Sequence, residues 1–244
     1  MTHELTFLEP FAPNLEPAAD GQKPAADRPQ PAPHEPPPLS MKAEPGAHDP
    51  EPPGPEPPGR APDLAAAQRA AADLLTALGI DVDRDGLRET PARMARAYAE
   101  LFDPAPLRLT TFDNAEGYDE LVIARAIPFR TVCEHHLLPF AGVAHVGYLP
   151  AERILGLSKL ARLVEHFAAR PQTQERLTRQ VADCLLERLR PRGAGVVLEA
   201  EHTCMTLRGV RATGATTITS ALLGCLRADP RSRAEFFALA GVHV

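Results

Sequence analysis

The chain has 244 residues, with 26 Lys and Arg against 32 Asp and Glu, and a formal net charge of −6 at pH 7. The basic residues are interleaved with acidic ones, which argues against a nucleic-acid partner. The four cysteines are irregularly spaced, which excludes a disulfide framework and favours a reducing compartment. No secretory signal pattern is present, and no apolar run reaches the roughly 18–20 residues that cross a bilayer, so we expect a soluble cytoplasmic protein with no membrane partner.

The first 62 residues differ in composition from the rest of the chain. They hold 18 of the 27 prolines, with four Lys or Arg and ten Asp or Glu, so the net charge lies entirely in this segment. Such a sequence has too few apolar side chains to offset the entropy of ordering its backbone. We therefore predict a disordered acidic tail over 1–62, followed by one domain over 63–244.

Two helices are predicted at the start of the domain, within 63–104. Asp63 is a favourable N-cap for the first of them. Thr90 and Pro91 have the residue types preferred at the cap and at the first position of the second helix, which continues to about Phe102.

The rest of the domain, 105–244, is predicted to have the element order ββααββ and an α+β fold. Uninterrupted pairs of strands favour an antiparallel sheet with the two helices on one face, rather than a doubly wound parallel sheet. The open sheet edges favour oligomerisation. His145, inside the second strand, is expected to be a packed or hydrogen-bonded histidine. The apolar periodicity gives strands at 121–127, 142–149, 195–202 and 215–220, helices at 157–167 and 171–189, and a short last helix at 233–239.

Cysteine and histidine residues occur together in two short segments, CEHH at 133–136 and HTC at 202–204. A thiolate and an imidazole three residues apart can bind one ion, and a second cysteine from a distant segment adds a third ligand. Three ligands of mixed sulfur and nitrogen type suit zinc and leave the fourth tetrahedral position for water or substrate. Two alternatives remain at this point: a four-ligand structural zinc site that includes His202, and buried thiols without a metal.

These segments lie in longer blocks that resemble the GTP cyclohydrolase I family. The blocks are CEHHLLPFAGVAHVGYLP, ILGLSKLARLVEHFAARPQTQERLTRQVA and EHTCMTLRGVRATGATTITS, and GLRETPARMARAY resembles the family's leading helix. The resemblance covers 63–244 and implies the tunnelling fold, in which ββααββ subunits assemble into a toroidal barrel, typically a homodecamer. It also implies a zinc-dependent enzyme that converts GTP and water to 7,8-dihydroneopterin triphosphate and formate, the first step of pterin and tetrahydrofolate biosynthesis.

The resemblance implies roles for the cysteine and histidine residues. Cys133, His136 and Cys204 would be the zinc ligands. His135 would donate a proton to the guanine ring nitrogen while water attacks C8, and His202 would act as an acid–base group in the later ribose opening and rearrangement. Imidazole suits both tasks because its pKa lies near the working pH.

The resemblance also implies a set of substrate contacts. Glu175 would bind guanine, because one carboxylate can accept hydrogen bonds from both N1–H and the exocyclic amine, a pattern that adenine lacks. Without the resemblance, Glu175 would be interpreted as an exposed helix charge. The ribose and triphosphate contacts would be Ser158, Lys159, Arg162 and Arg208, and Arg93 would reach the site of a neighbouring subunit.

Two other functions fit the same fold class. One is another tunnelling-fold enzyme, such as a pterin synthase or a nitrile reductase, which the combination of CEHH and HTC disfavours. The other is an oligomeric scaffold with structural zinc that binds a purine without turnover. His135 and His202 argue against the scaffold, because a scaffold has no need of acid–base imidazoles.

Overall fold

The computed structural model describes residues 61–242. The predicted tail over 1–62 therefore lies outside the described residues except for Ala61 and Pro62. Within the described part of the chain, no helix has the length and apolar character needed to span a membrane.

The order of the long helices and strands in the described residues contains the predicted ββααββ unit. The helices are α1 (Leu64–Ala77), α2 (Thr90–Leu101), α3 (Ser158–Ala168), α4 (Gln174–Leu189), α5 (Thr203–Thr206), α6 (Cys225–Ala228) and α7 (Pro230–Ala240). The strands are β1 (Thr111–Asp113), β2 (Val122–Cys133), β3 (Pro139–Leu149), β4 (Arg153–Leu155), β5 (Pro171–Gln172), β6 (Gly193–His202) and β7 (Thr216–Gly224). The short elements β1, β4, β5, α5 and α6 were not predicted from the sequence.

The main sheet has the strand order β5-β2-β3-β6-β7. Neighbouring strands are antiparallel, as predicted, except that the two-residue β5 pairs parallel to β2. The strands are longer than their apolar runs, since β2 continues to Cys133 and β3 begins at Pro139. Strands β1 and β4 form a separate antiparallel pair.

The core lies between this sheet and the helices α3 and α4. Leu177, Val181, Leu185 and Leu189 form the predicted apolar stripe of α4, and all four are buried. Full burial of each such side chain contributes about 1.5–3 kcal/mol relative to exposure. Thr173 caps the helix by accepting a hydrogen bond from the Arg176 amide through its hydroxyl. This packing holds the first turn of α4 against the sheet.

The last helix covers the other face of the sheet. Val196 and Val197 are successive residues of β6, and because side chains alternate along a strand they belong to different clusters. Val197 packs with Leu226 of α6 and Phe236 of α7. Sequence periodicity predicted the last helix but not that it packs on the face opposite α3 and α4.

One predicted helix cap is wrong. Asp63 caps α1 as expected, with its carboxylate accepting from the Ala66 amide at 2.9 Å. Thr90, in contrast, is already the first residue of α2, and its N-cap is Glu89, which makes no capping side-chain bond. The Thr90 amide donates to the Leu87 carbonyl at 2.9 Å, so the preceding turn leads the chain into the helix one residue earlier.

Candidate metal centre and active site

The CEHH segment forms the tight loop that joins β2 to β3. The amide of Cys133 donates to the carbonyl of Leu138 at 2.8 Å, and the amide of Leu137 donates to the carbonyl of Cys133 at 2.8 Å. Leu137 has a φ of 51°, a left-handed conformation that is uncommon for a residue other than glycine. The hydroxyl of Tyr98 on α2 donates to the Leu137 carbonyl at 3.1 Å and holds the loop from outside.

The register of the sheet brings the HTC segment to this loop. Strand β6 pairs with β3 so that His202 lies opposite Phe140, the second residue of β3. The chain then turns into α5 at Thr203, whose hydroxyl donates to the carbonyl of Pro139. Cys204 follows directly and therefore lies beside the end of β2.

The three predicted metal ligands come together as one group, here called the metal group. One ligand atom from each of Cys133, His136 and Cys204 lies within 4.8 Å of the other two. Cys133 is buried, Cys204 is half-buried and His136 is exposed. Burial, followed by the neighbouring Cys133 sulfur, raises the pKa of the Cys204 thiol above its ordinary value. A cation bound between the two sulfurs would stabilise both as thiolates.

Arg208 contacts the metal group directly. Its Nη1 donates to Nε2 of His136 at 3.2 Å. A guanidinium can only donate, so this imidazole nitrogen carries a lone pair rather than a proton. Arg208, which was predicted to bind phosphate, is therefore adjacent to the metal group in the described structure.

His135 lies beside the three-residue group without belonging to it. Its Nδ1 is 3.9 Å from the Cys133 sulfur, and its Nε2 is 3.7 Å from Oε1 of Glu134. The His135 side chain is 65% exposed, so a molecule arriving from solvent can reach the ring.

A network that the sequence analysis missed holds Glu134 in place. The guanidinium of Arg176 forms an ion pair with the Glu134 carboxylate, and its Nε donates to Oε1 of Gln172 at 2.9 Å. The backbone amide of Glu134 also donates to the Gln172 carbonyl at 3.0 Å. The only sequence signal for this network was the opposite charge of Glu134 and Arg176, which does not identify a contact between residues so far apart.

His202 is fixed by two contacts. Its Nε2 lies 2.8 Å from Oε1 of Gln174, and its ring stacks on Phe140 with centroids 4.2 Å apart and an interplanar angle of 10°. Burial lowers the pKa of His202, and the charge of Glu175 acts in the opposite direction. Gln174 was also missed by the sequence analysis, because a glutamine in a helical segment carries no signal of burial.

Glu175 lines a cavity between α4 and β7. The cavity has a volume of about 430 Å³. Among the described residues, no hydrogen bond or ion pair engages the Glu175 carboxylate, so it is available to a ligand. The residues that line the cavity are Glu175, Thr178, Arg179, Thr219, Ser220, Ala221, Leu222 and Arg227.

The remaining predicted substrate contacts are not joined to the metal group by contacts within the described chain. Ser158, Lys159 and Arg162 lie in the first turns of α3, where Ser158 and Arg162 are exposed and Lys159 is half-buried. Arg93 is exposed on α2. No hydrogen bond or ion pair within 61–242 joins any of these four side chains to Cys133, His136 or Cys204, and their roles remain predictions.

Comparison with known proteins identifies the family. The family model described as GTP cyclohydrolase I matches residues 67–241. The GTP cyclohydrolase 1 of Mycobacteroides abscessus is 56% identical over 178 residues, which cover 70% of this chain and 86% of that protein. The enzyme of the same name from Streptomyces avermitilis is 57% identical over 180 residues, covering 71% of this chain and 88% of the relative. The Corynebacterium glutamicum protein of that name is 53% identical over 184 residues, covering 72% and 93% respectively.

Similarity to a solved structure is much weaker. The crystal structure of the archaeosine synthase QueF-Like in its apo form is 18% identical, with a TM-score of 0.33, over 43% of this chain and 93% of that one. Similarity at this level does not bear on function. The sequence matches cover most of the domain and do bear on function. They show that this chain belongs to the GTP cyclohydrolase I family.

Proposed function

We propose that this protein is a zinc-dependent enzyme that converts GTP and water to 7,8-dihydroneopterin triphosphate and formate, the first step of pterin and tetrahydrofolate biosynthesis. The observation that carries the proposal is a group of three residues that could hold a metal ion, with two further histidines beside it that are not part of it. A structural zinc site normally has four protein ligands, whereas a catalytic site has three and keeps one position open.

Cys133, His136 and Cys204 would hold the metal. Two thiolates and one imidazole form a donor set that suits zinc. When bound, the zinc ion supplies Lewis-acid activation of water near neutral pH. A ligating imidazole nitrogen must be unprotonated, so His136 would bind the metal as a neutral ring.

The two histidines outside the ligand set would move protons. His135 is exposed beside Cys133, where a guanine ring could reach it, and would donate a proton to the ring nitrogen as C8 is attacked. His202 is more enclosed, and we assign it the acid–base steps of ribose opening and rearrangement. Burial lowers the pKa of His202, which favours a neutral ring that can accept a proton at neutral pH.

Glu175 would select guanine. Its carboxylate lines a cavity large enough for a nucleobase and, among the described residues, has no competing partner. Glu175 directly follows Gln174, whose side chain contacts His202. Adjacent residues of one helix turn would therefore bind the base and hold the proposed acid–base group.

Basic residues would bind the triphosphate. Arg208 is next to His136, and Lys159 and Arg162 lie in the first turns of α3 with Ser158. Arginine forks match phosphate oxygens, and the positive end of a helix dipole adds to the attraction at its first turn.

The enzyme would act in the cytoplasm as a toroidal homodecamer of tunnelling-fold subunits, with no nucleic-acid partner. The apolar side chains Leu64 and Leu74 of α1 are 43% and 53% exposed in the single chain, which supports burial against other subunits. Arg93 on α2 would then reach the site of a neighbouring subunit.

The experiment is incubation of the zinc-loaded protein with GTP, measuring formate release and pterin fluorescence, with ATP as the control substrate. His135→Ala and His202→Ala should each keep zinc while product formation falls by about 10²-fold or more. GTP binding without formate would instead identify a binding scaffold. Loss of stoichiometric zinc in His202→Ala would identify a four-ligand structural site.

A further inference from the structure

The Gln174 side chain is buried, and both its amide nitrogen and its amide oxygen have hydrogen-bond partners. The residue is 2% exposed. Its Nε2 lies 3.1 Å from the Leu198 carbonyl oxygen, 2.8 Å from the Thr217 carbonyl oxygen and 3.1 Å from the Thr219 hydroxyl. Its Oε1 faces Nε2 of His202 at 2.8 Å.

These neighbours determine which end of the Gln174 amide is the NH₂ group and which is the oxygen. Carbonyl oxygens only accept, so the atom that faces Leu198 and Thr217 must be the NH₂ group. The Thr178 hydroxyl donates to the Gln174 backbone carbonyl at 2.7 Å, so it accepts from the Thr219 hydroxyl at 2.6 Å. Thr219 therefore faces the amide only as an acceptor, and the two Gln174 hydrogens are shared among three acceptors. A flipped amide would place its oxygen against two carbonyl oxygens.

The orientation of the amide determines which ring nitrogen of His202 carries the proton. Because Oε1 of Gln174 can only accept, Nε2 of His202 must carry the proton in their shared hydrogen bond. Stacking on Phe140 holds the plane of the ring in line with this hydrogen bond.

We propose that Gln174 is a positioning residue that keeps the proton of the neutral His202 ring on Nε2, so that Nδ1 is the atom that exchanges a proton with the substrate. Only the catalytic consequence of this inference rests on the proposed function. The position of the proton is a property of the protein alone. Neither Gln174 nor the tautomer follows from the motif HTC.

The direct test is nitrogen NMR of the zinc-loaded protein labelled with ¹⁵N-histidine. A ring nitrogen that carries a proton and one that carries a lone pair have well-separated chemical shifts. The His202 signals are assigned by their loss in His202→Asn. At about pH 8.5, roughly two units above the ordinary histidine pKa, the ring is neutral. We expect a protonated Nε2 whose hydrogen exchanges slowly with water, and an unprotonated Nδ1. A proton on Nδ1 overturns the proposal, and this result needs no variant to fold.

Two substitutions test the part played by Gln174. Gln174→Met keeps the length of the side chain and removes the acceptor, so the protected Nε2 proton should be lost to fast exchange. Tyr148→Phe is the matched control, since it removes a different buried hydrogen bond, from the Leu155 amide at 2.9 Å, and should leave the His202 signals unchanged. An equally protected proton in Gln174→Met refutes the role of Gln174.

Turnover measurements separate this inference from the proposed function. Gln174→Met should retain zinc and lower kcat by about 10- to 100-fold, with KM for GTP little changed. Full turnover in His202→Ala would contradict the catalytic role of His202, whatever the tautomer. Loss of turnover in His202→Ala with full kcat in Gln174→Met would overturn the positioning role alone.

Discussion

Replacing Glu175 by Gln tests guanine recognition with almost no change in shape. The substitution exchanges one carboxylate oxygen for an NH₂ group in the cavity between α4 and β7. Gln174 and Thr178, on either side of it in the helix, keep their bonds to the strand Thr216–Gly224. The backbone of this turn should therefore remain in place, and the effect should come from the exchanged atoms.

The expected magnitude follows from what the new group would face. Guanine presents donors at N1 and at the exocyclic amine, so the introduced NH₂ group would oppose a donor and leave a polar group unsatisfied. That costs about 1–3 kcal/mol, or about 5- to 150-fold in kcat/KM for GTP. Glu175 also lies in the first turn of its helix, where a negative charge contributes about 0.3–1 kcal/mol to stability. The variant should therefore fold with at most a small loss of thermal stability.

The assay is steady-state formate release over a range of GTP concentrations for Glu175→Gln and for Glu187→Gln. Glu187 is an exposed residue near the other end of the same helix, and its substitution removes the same charge away from the cavity. Glu187→Gln should retain the unsubstituted kcat/KM. An unchanged kcat/KM in Glu175→Gln would refute guanine recognition by this carboxylate.

Three further predictions concern the metal, the pH dependence and the tail. Cys133→Ala and Cys204→Ala should each lose zinc and turnover together, as measured by metal analysis beside the GTP assay, and full retention of both in either variant would exclude that ligand. Burial, and then the charge of Arg125, lower the pKa of His145, with Glu199 opposing. The unfolded chain therefore binds the extra proton first. The contribution of His145 to the free energy of unfolding is constant above about pH 6.5 and is lost as pH falls through the lowered folded pKa. The loss is about 1.4 kcal/mol for each pH unit that separates the folded and unfolded pKa values. Denaturant titrations should show a smaller loss between about pH 7 and about pH 5 in His145→Gln, and equal losses would contradict the assignment. A chain that begins at Arg60 should fold, assemble and turn over GTP like the full chain, and failure to assemble would refute the boundary. A gap in KM between the two chains that closes at high salt would indicate that the acidic tail competes for the triphosphate contacts.

Local patterns in the sequence were sufficient to predict the order of the long helices and strands and the three cysteine and histidine residues that the structure brings together. Apolar periodicity is a local property, and the stripe from Leu177 to Leu189 had to face a core wherever that core was. The family motifs contain the cysteine and histidine residues in fixed spacing, so Cys133, His136 and Cys204 could be named before their distances were known. The alternatives for His202 stayed open because spacing alone does not distinguish a ligand from a neighbour.

How these groups are held depends on the tertiary structure alone. The pairing of β3 with β6 brings His202 opposite Phe140, and no local signal specifies that register. Gln174 and Arg176 have ordinary residue types for a helix start, yet one contacts His202 and the other pairs with Glu134 beside His135. Both roles arise because packing of the helix against the sheet fixes the direction of its first turn. A hydrogen bond between residues distant in sequence depends on that packing, and composition and periodicity carry no record of it.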